Sequence, residues 1–408
     1  MIRATTHRAL ASQLMGWLNI VFGIVIMVCL GTVYSWSVFR MAVEQHFKIG
    51  ATLSGLPYLV SLAVYAVSML FSGRLLDRKN PRSMVLVGGL LVGLGWILSS
   101  YARSIFAVAL SFGVITGAGV GIVYGVPIAI AARWFPRKNG VMLGLVLVGF
   151  GLSPLFTAPL ADYLISAFGL LSAFRLLGIS FILLIPFLSL PIQNPPNYGK
   201  RAGLLGQGAS GSLLPKEILS RRGFKGIYLS FMIGTMIGLL LIGMTNSIGM
   251  ELFGLSSAST AMLMSVFAVF NGAGRPFFGW LVGRLSIKKS MLLSYALIFT
   301  AALLILLVKS QGGALLFALT FSVFWFNLGG WLAIAPAATL ALFGQEHYGR
   351  NYGIIFTAYG FGAVIGVISS GLVRDFFRGY DAVFVLVAAL CITGIWVSQR
   401  LLDSEQKS

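Results

Sequence analysis

Residues 73–82 read GRLLDRKNPR, and residues 279–288 read GWLVGRLSIK. In both, a glycine, hydrophobic residues, an arginine and a closing base recur at the same spacing, with Gly283 standing where Asp77 stands. Each follows a long apolar run, so each reads as a short polar loop between two membrane spans. Two copies of one loop imply a chain built twice on one plan.

The surroundings agree. With 58% hydrophobic residues, 10% charged residues and a mean hydropathy of +0.94, the chain is too apolar for a soluble globular domain. Apolar runs long enough to cross ~30 Å of hydrocarbon predict twelve transmembrane helices. They fall at roughly 16–38, 52–73, 83–101, 104–131, 140–162, 170–191, 225–249, 257–283, 290–308, 312–341, 352–373 and 380–400. The first run is a full-length span with no small-residue cleavage site behind it, so no cleaved leader is expected. Cys29 and Cys391 both fall inside predicted spans and read as packing residues; no disulfide, metal site or cofactor is expected.

A formal charge of +19 would suit a nucleic-acid binder, but its distribution does not. Most of the 29 Lys and Arg residues lie in the termini and in the loops after spans 2, 4, 6, 8 and 10. That is the positive-inside pattern of a multi-pass protein of the cytoplasmic membrane with both termini in the cytoplasm, with some attraction to anionic lipid. No nucleic-acid partner is expected. The longest gap, 192–224, is rich in Gly, Ser, Pro and basic residues and divides a six-helix bundle at 1–191 from a second at 225–408. Further echoes support the repeat. RWFPRKNG (133–140) and LFGQEHYGRNYG (342–353) close spans 4 and 10, and GFG recurs at 149–151 and 360–362 in spans 5 and 11. The expected fold class is therefore all-α integral membrane, with two pseudo-symmetric six-helix bundles and a substrate site between them near the midplane. In the repeated loops Asp77 can pair with bases such as Arg74 and Arg78, and with Arg284 marking the second copy these are expected to gate the cytoplasmic side. Gly113, Gly117, Gly121 and Gly125 form a four-residue strip in span 4 suited to close helix contact, and Pro154 and Pro159 let span 5 bend.

Span 8 contains NGAGRPFFGW, residues 271–280, and so places an arginine inside a long uncharged run. Arg275 lies nine residues before Arg284, which is ~13 Å along a helix at 1.5 Å per residue. Snorkelling to the surface is difficult from that depth. A charge there costs at least ~2.5–3.5 kcal/mol and must face the protein interior or a water-filled cavity. All ten acidic residues fall in loops, termini or helix ends, so none is a permanent partner. The partner is then read as the substrate, a carboxylate that matches the guanidinium fork.

The paired halves and DRKN resemble the major facilitator superfamily over essentially the whole chain. GAGVGIVYG (117–125), RWFP (133–136), NGAGRPFFGW and the FG followed by RNYG (343–353) resemble its oxalate/formate antiporter family, whose relatives include monocarboxylate transporters. The resemblance implies carboxylate transport by alternating access, with Arg275 binding the anion and aromatic residues, here Tyr34 and Tyr124, walling the site. It also marks departures. The second cation of oxalate-exchanging members, a lysine on span 11, corresponds to Tyr359; a glutamine on span 1 corresponds to Val33; and a tyrosine on span 10 corresponds to Leu332, with Trp331 beside it.

Charge counting then limits the ligand. One arginine neutralises one carboxylate, and a second would sit uncompensated in a low-dielectric cavity. A small monocarboxylate such as formate, acetate, lactate or pyruvate is expected, with oxalate-like dicarboxylate/formate antiport as the alternative. Where some proton-coupled relatives resemble Asp-x-x-x-Arg, this chain has Asn271, which does not titrate. Exchange for a counter-anion and proton symport both remain open. His7, His46 and His347 lie outside the predicted spans, and no P-loop is present, so neither an enzyme nor an ATP-driven pump is expected. The rival from another class is a transporter-like carboxylate sensor, which binds without exchanging. A monomer is the expected state.

Overall fold

A computed structural model of the chain describes residues 2–76, 79–136, 139–196, 213–377 and 380–402. Its long helices are α1 (Ile2–Leu30), α2 (Leu56–Leu76), α3 (Pro81–Ser99), α4 (Ile105–Trp134), α5 (Asn139–Phe168), α6 (Leu170–Leu188), α7 (Arg222–Glu251) and α8 (Ser257–Arg284). A helical run at Ile287–Phe343 follows, then α11 (Tyr348–Phe377) and α12 (Asp381–Leu401). The long run is two spans, α9 (Ile287–Val308) and α10 (Gly313–Phe343), because Gly313 turns the chain at φ 46°, a left-handed value that side chains resist. After α1 a 3₁₀ turn, Gly31–Ser35, leads into a further helix, Trp36–Phe47.

Local chemistry sets the ends. Pro81 opens α3 behind Asn80, whose side chain accepts from the Arg82 N–H, and Ser256 caps α8 by accepting from the Ser259 N–H. Gly344, at φ 77°, ends α10. Ten helices among the described residues are long and apolar enough to cross a membrane on their own composition. The other two long helices, α8 and α11, have 28 and 30 residues and carry polar groups of their own, Asn271 and Arg275 in one, Arg350 and Asn351 in the other. Large apolar side chains on the periphery, such as Phe106, Leu183 and Leu307, are exposed as a lipid-facing surface requires.

The same three pairings build each set of six helices. α1 packs on α5 as α7 packs on α11, and α3 on α6, as Gly394 of α12 takes the ring of Tyr295 of α9. α2 packs on α4, while on the other side Gly274 of α8 lies against the Phe326 carbonyl of α10. Between the sets, α5 meets α8 and α2 meets α11. Both seams are glycine against glycine at the end of the bundle where α6 stops and α7 begins, here termed the linker face. A Cβ at Gly73 would collide with the Gly349 carbonyl, and Cβ atoms at Gly140 and Gly279 would each collide with the other's carbonyl. Small residues let backbones approach this closely where lipid supplies no hydrophobic drive for association.

The linker ends are also stitched to this face. Asn351 donates to the Leu213 carbonyl at 2.9 Å, and the Gln193 N–H donates to Asn19 at 3.0 Å. Gln345, in the turn before α11, donates across the seam to the Ala132 carbonyl of α4 at 3.3 Å.

A Gly279→Ala substitution is therefore expected to wedge α5 from α8 and open the linker face. Gly283, one turn along the same helix, has nothing within 4 Å of a built Cβ, so Gly283→Ala is the neutral comparison. With a cysteine installed at the buried Ser72, impermeant maleimide labelling should accelerate several-fold in the first variant and not in the second.

Candidate functional site

Arg275 sits in the middle of α8 and is 0% exposed. It is the one charged residue among the described buried ones. Pro276 follows it, and with no N–H to give the preceding turn it loosens the helix at this point. The opposing wall is the glycine-rich stretch of α5. A Cβ at Gly151 would lie 2.9 Å from Arg275 Nε and 2.7 Å from the Asn271 side-chain oxygen, so only a glycine leaves room for the guanidinium. Gly144 faces the Arg275 carbonyl and Pro276 in the same way. Between them Phe150 places its ring 5.5 Å from the guanidinium carbon, within cation–π range. Gly149 turns the other way, against the Ile24 carbonyl of α1.

Asn271, one turn before Arg275, orients it. Its Oδ1 accepts from Arg275 Nη2 at 3.2 Å, and its Nδ2 donates to the Trp325 carbonyl of α10 at 3.0 Å. Nε and Nη1 of Arg275 have no hydrogen-bond partner among the described residues, and no described carboxylate pairs with the guanidinium. Leaving a buried charged donor unmatched costs on the order of 1–3 kcal/mol or more.

An aromatic cage surrounds the cation. The hydroxyls of Tyr34, Tyr124 and Tyr352 lie within its electrostatic reach. Tyr34 and Tyr359 join the two helix sets through a 2.9 Å hydroxyl–hydroxyl hydrogen bond. Phe150 packs edge-on against both Tyr34 and Tyr124, at 5.0 and 5.2 Å between centroids. Tyr65 of α2 closes the ring, 5.2 Å from Tyr124 and 5.7 Å from Tyr359, with Phe356 4.9 Å away. The Tyr124 hydroxyl is buried among Tyr65, Tyr352 and the Arg275 guanidinium. The polar lining is thus a permanent cation, donor nitrogens and tyrosine hydroxyls, with no acid among the described residues. Such a lining has the chemistry to take an anion.

The structure brings together Arg275, Asn271, Tyr34, Tyr124 and Tyr359. Trp331 packs elsewhere: its ring lies 4.8 Å from Tyr295 of α9 and fills the space over Gly234 of α7. Of the expected gating residues, Arg74 and Arg284 are exposed at the linker face, and Arg284 lies over Trp280 at 5.8 Å. Asp77 and Arg78 lie outside the described residues. Sequence reasoning missed Tyr65, Phe150, Phe356 and Gln345. Phe150 sits inside the GFG already noted for its repetition, and Gln345 inside FGQEHYGR; Tyr65 has no motif around it.

The sequence model described as Major Facilitator Superfamily matches residues 21–342. The chain is 26% identical over 374 residues to the oxalate:formate antiporter of Oxalobacter formigenes, across 91% of this chain and 88% of that one. It is 25% identical over 370 residues to monocarboxylate transporter 13 of Bos taurus, covering 89% and 84% of the two chains. To monocarboxylate transporter 11 of Homo sapiens it is 26% identical over 368 residues, covering 86% and 75%.

Because Asn271 touches Arg275, an Asn271→Asp variant puts a titrating competitor for the anion beside the cation. When ionised, the introduced carboxylate would occupy Arg275, and protonation releases it. Carboxylate affinity should therefore be poor at pH 8 and improve as pH falls. The unaltered protein should lack that slope. Ligand titrations at a series of pH values check this.

Proposed function

The chain belongs to the major facilitator superfamily, and from that premise we propose that it moves small monocarboxylate anions across the cytoplasmic membrane by alternating access. It is a multi-pass membrane transporter, not an enzyme, related to an oxalate:formate antiporter and to monocarboxylate transporters. The observation that carries the finer reading is the guanidinium of Arg275, fully buried among tyrosine hydroxyls with Nε and Nη1 lacking a hydrogen-bond partner among the described residues. One carboxylate restores neutrality there and accepts the spare donors.

The charge count favours a monocarboxylate over a dicarboxylate. No other buried Lys or Arg is found among the described residues, and Tyr359 offers a hydroxyl where a second cation would be needed. A second carboxylate would be desolvated without compensation. The dicarboxylate/formate alternative draws support from the named activity of the Oxalobacter formigenes relative. Coupling by exchange fits Asn271, since the residue touching the cation cannot carry a proton. The linker face, rich in basic residues, is assigned to the cytoplasm, with the substrate and its counter-anion as partners and a monomer as the working unit.

Thermal stabilisation of the purified protein by a panel of acids is the direct test. A ligand confined to the folded state adds about 2.7 kcal/mol of stability at 100 times its dissociation constant. Lactate, acetate or formate should raise the melting temperature, and oxalate should not; a shift with oxalate alone would overturn the charge count. Arg275→Ala should abolish every carboxylate-dependent shift. Tyr359→Lys should transfer the preference toward dicarboxylates, measured by the same titrations.

A further inference from the structure

Four bases gather where α7 begins. A short helix, Pro215–Ser220, leads into it and buries Ile218, while Lys216, Arg221, Arg222 and Lys225 are all exposed. Glu217 is the one acid in residues 213–230, and its carboxylate accepts from the Leu214 N–H at 2.7 Å. No ion pair among the described residues engages the four bases. Like charges this close in sequence repel one another, and nothing described beside them offsets that.

From these bases one stripe of α7 stays out of the core. Over residues 222–242 only Arg222, Lys225, Tyr228, Leu229 and Met232 escape full burial. Tyr228 is tied to α11, its hydroxyl 2.9 Å from that of Thr357. The other four fall at i, i+3, i+7 and i+10 and so form one line along the helix. The remaining sides of α7 are taken. Ser230 bonds Ser398 of α12 at 3.0 Å, Trp331 of α10 covers Gly234, and Gly362 of α11 lies against the Met232 carbonyl. The line is left in the groove between α11 and α12. It continues to the exposed Gly243, where a Cβ would meet nothing within 4 Å. Charge at the linker face and apolar side chains deeper in the span are the order of an amphiphile.

We propose that this stripe binds one anionic glycerophospholipid, its phosphate on Arg222 and Lys225 with Lys216 and Arg221 beside them, and an acyl chain along Leu229 and Met232. The guanidinium fork matches a pair of phosphate oxygens, and the ammonium adds a point charge. A free phosphate would use the bases alone and leave the apolar line without an occupant. The site does not depend on which anion the chain carries. It bears on the linker face because Leu213, at the head of the same segment, is bonded to two further helices. Its N–H donates to the Phe343 carbonyl of α10 at 3.1 Å, and its carbonyl accepts from Asn351 of α11 at 2.9 Å. A lipid held here braces the linker-face ends of α7, α10 and α11 together.

The test places a bimane label on Leu229→Cys, the two native cysteines being buried. The full chain is reconstituted in phosphatidylcholine vesicles doped with dibrominated phosphatidylglycerol or dibrominated phosphatidylcholine, and quenching gives the relative binding constant. Phosphatidylglycerol should be preferred at least about fivefold, the size of one base near an anionic headgroup. The preference should shrink as salt rises from about 0.05 M to about 0.5 M. In this background Arg222→Gln with Lys225→Gln should bring it within about twofold of unity, while Arg222→Lys with Lys225→Arg should keep it. Lys79→Gln with Arg82→Gln removes as much charge from the same face and should also keep it. Equal quenching by the two lipids, no quenching by either, or equal loss in the Lys79 and Arg82 variant overturns the site. Displacement of the lipid by millimolar inorganic phosphate or glycerol phosphate overturns the lipid as its occupant. None of these outcomes touches the carboxylate reading, which stands or falls on the acid panel.

Discussion

The structure depends on keeping water away from a charge that has no means of disappearing. A guanidinium stays protonated at any pH a protein meets, so Arg275 is buried as a cation, with Asn271 as its hydrogen-bond partner and Phe150 beneath it. The surrounding sequence follows from that burial. Gly151 is a glycine because the Arg275 side chain occupies the place of a Cβ, and Gly144 is one because the Arg275 backbone does. Gly329 of α10 lies against the Asn271 carbonyl, which brings the two helices close enough for Asn271 to reach Trp325. Three helices from two bundles are thus drawn together at one residue.

On the proposed function, this arrangement would link substrate to motion. With the seams α5–α8 and α2–α11 closed, the cation is dry and two of its nitrogens are unmatched. Opening a seam admits water, which satisfies them. The closed state is therefore penalised when empty, by on the order of several kcal/mol for an uncompensated buried charge. A bound carboxylate removes that penalty without adding net charge. On the proposed function, a loaded carrier would close and reopen on the other side, while an empty one would be held open to water. On the proposed reading, an arginine with no carboxylate partner among the described residues would favour exchange over net movement of one ion.

Part of this was legible in the chain. Hydropathy runs located the long helices because each must present some twenty apolar residues to lipid, and the break between α9 and α10 fell at a glycine in a polar gap. Arg275 stood out because a charge at that depth is costly enough to require a reason. Tyr34, Tyr124 and Tyr359 were found through the resemblance; the first two lie within reach of the cation, and Tyr359 bonds to Tyr34. Tyr65 was not found, since a tyrosine in an apolar helix gives no sign of which face it occupies until its neighbours are known. Trp331 shows the converse. One position from an aligned aromatic site, it turns roughly a hundred degrees around the helix, and its ring goes to Tyr295 and Gly234 instead. The Gln345 bond to Ala132 joins residues far apart in sequence through a side chain to a backbone carbonyl, a contact that no residue pattern encodes.

The two GFG triplets explain how a duplicated fold acquires one site rather than two. In α5, Gly149 packs on α1, Gly151 packs on α8, and Phe150 points between them at the guanidinium. In α11 the order is reversed: Gly360 lies against Ala66 of α2 and Gly362 against α7, while Phe361 is 58% exposed on the outer surface. The same three letters thus serve the same two contacts with the helix rotated, and the aromatic residue moves from the cage to the periphery. The face that α11 turns inward carries Tyr352, Phe356 and Tyr359 instead. One half contributes the cation with its orienting amide and a tyrosine stripe; the other contributes Phe150, Tyr34, Tyr65 and Tyr124. Neither half encloses an anion alone. On the proposed function, a site assembled from both would be opened toward either side by moving one half against the other, parting the glycine seams at the linker face.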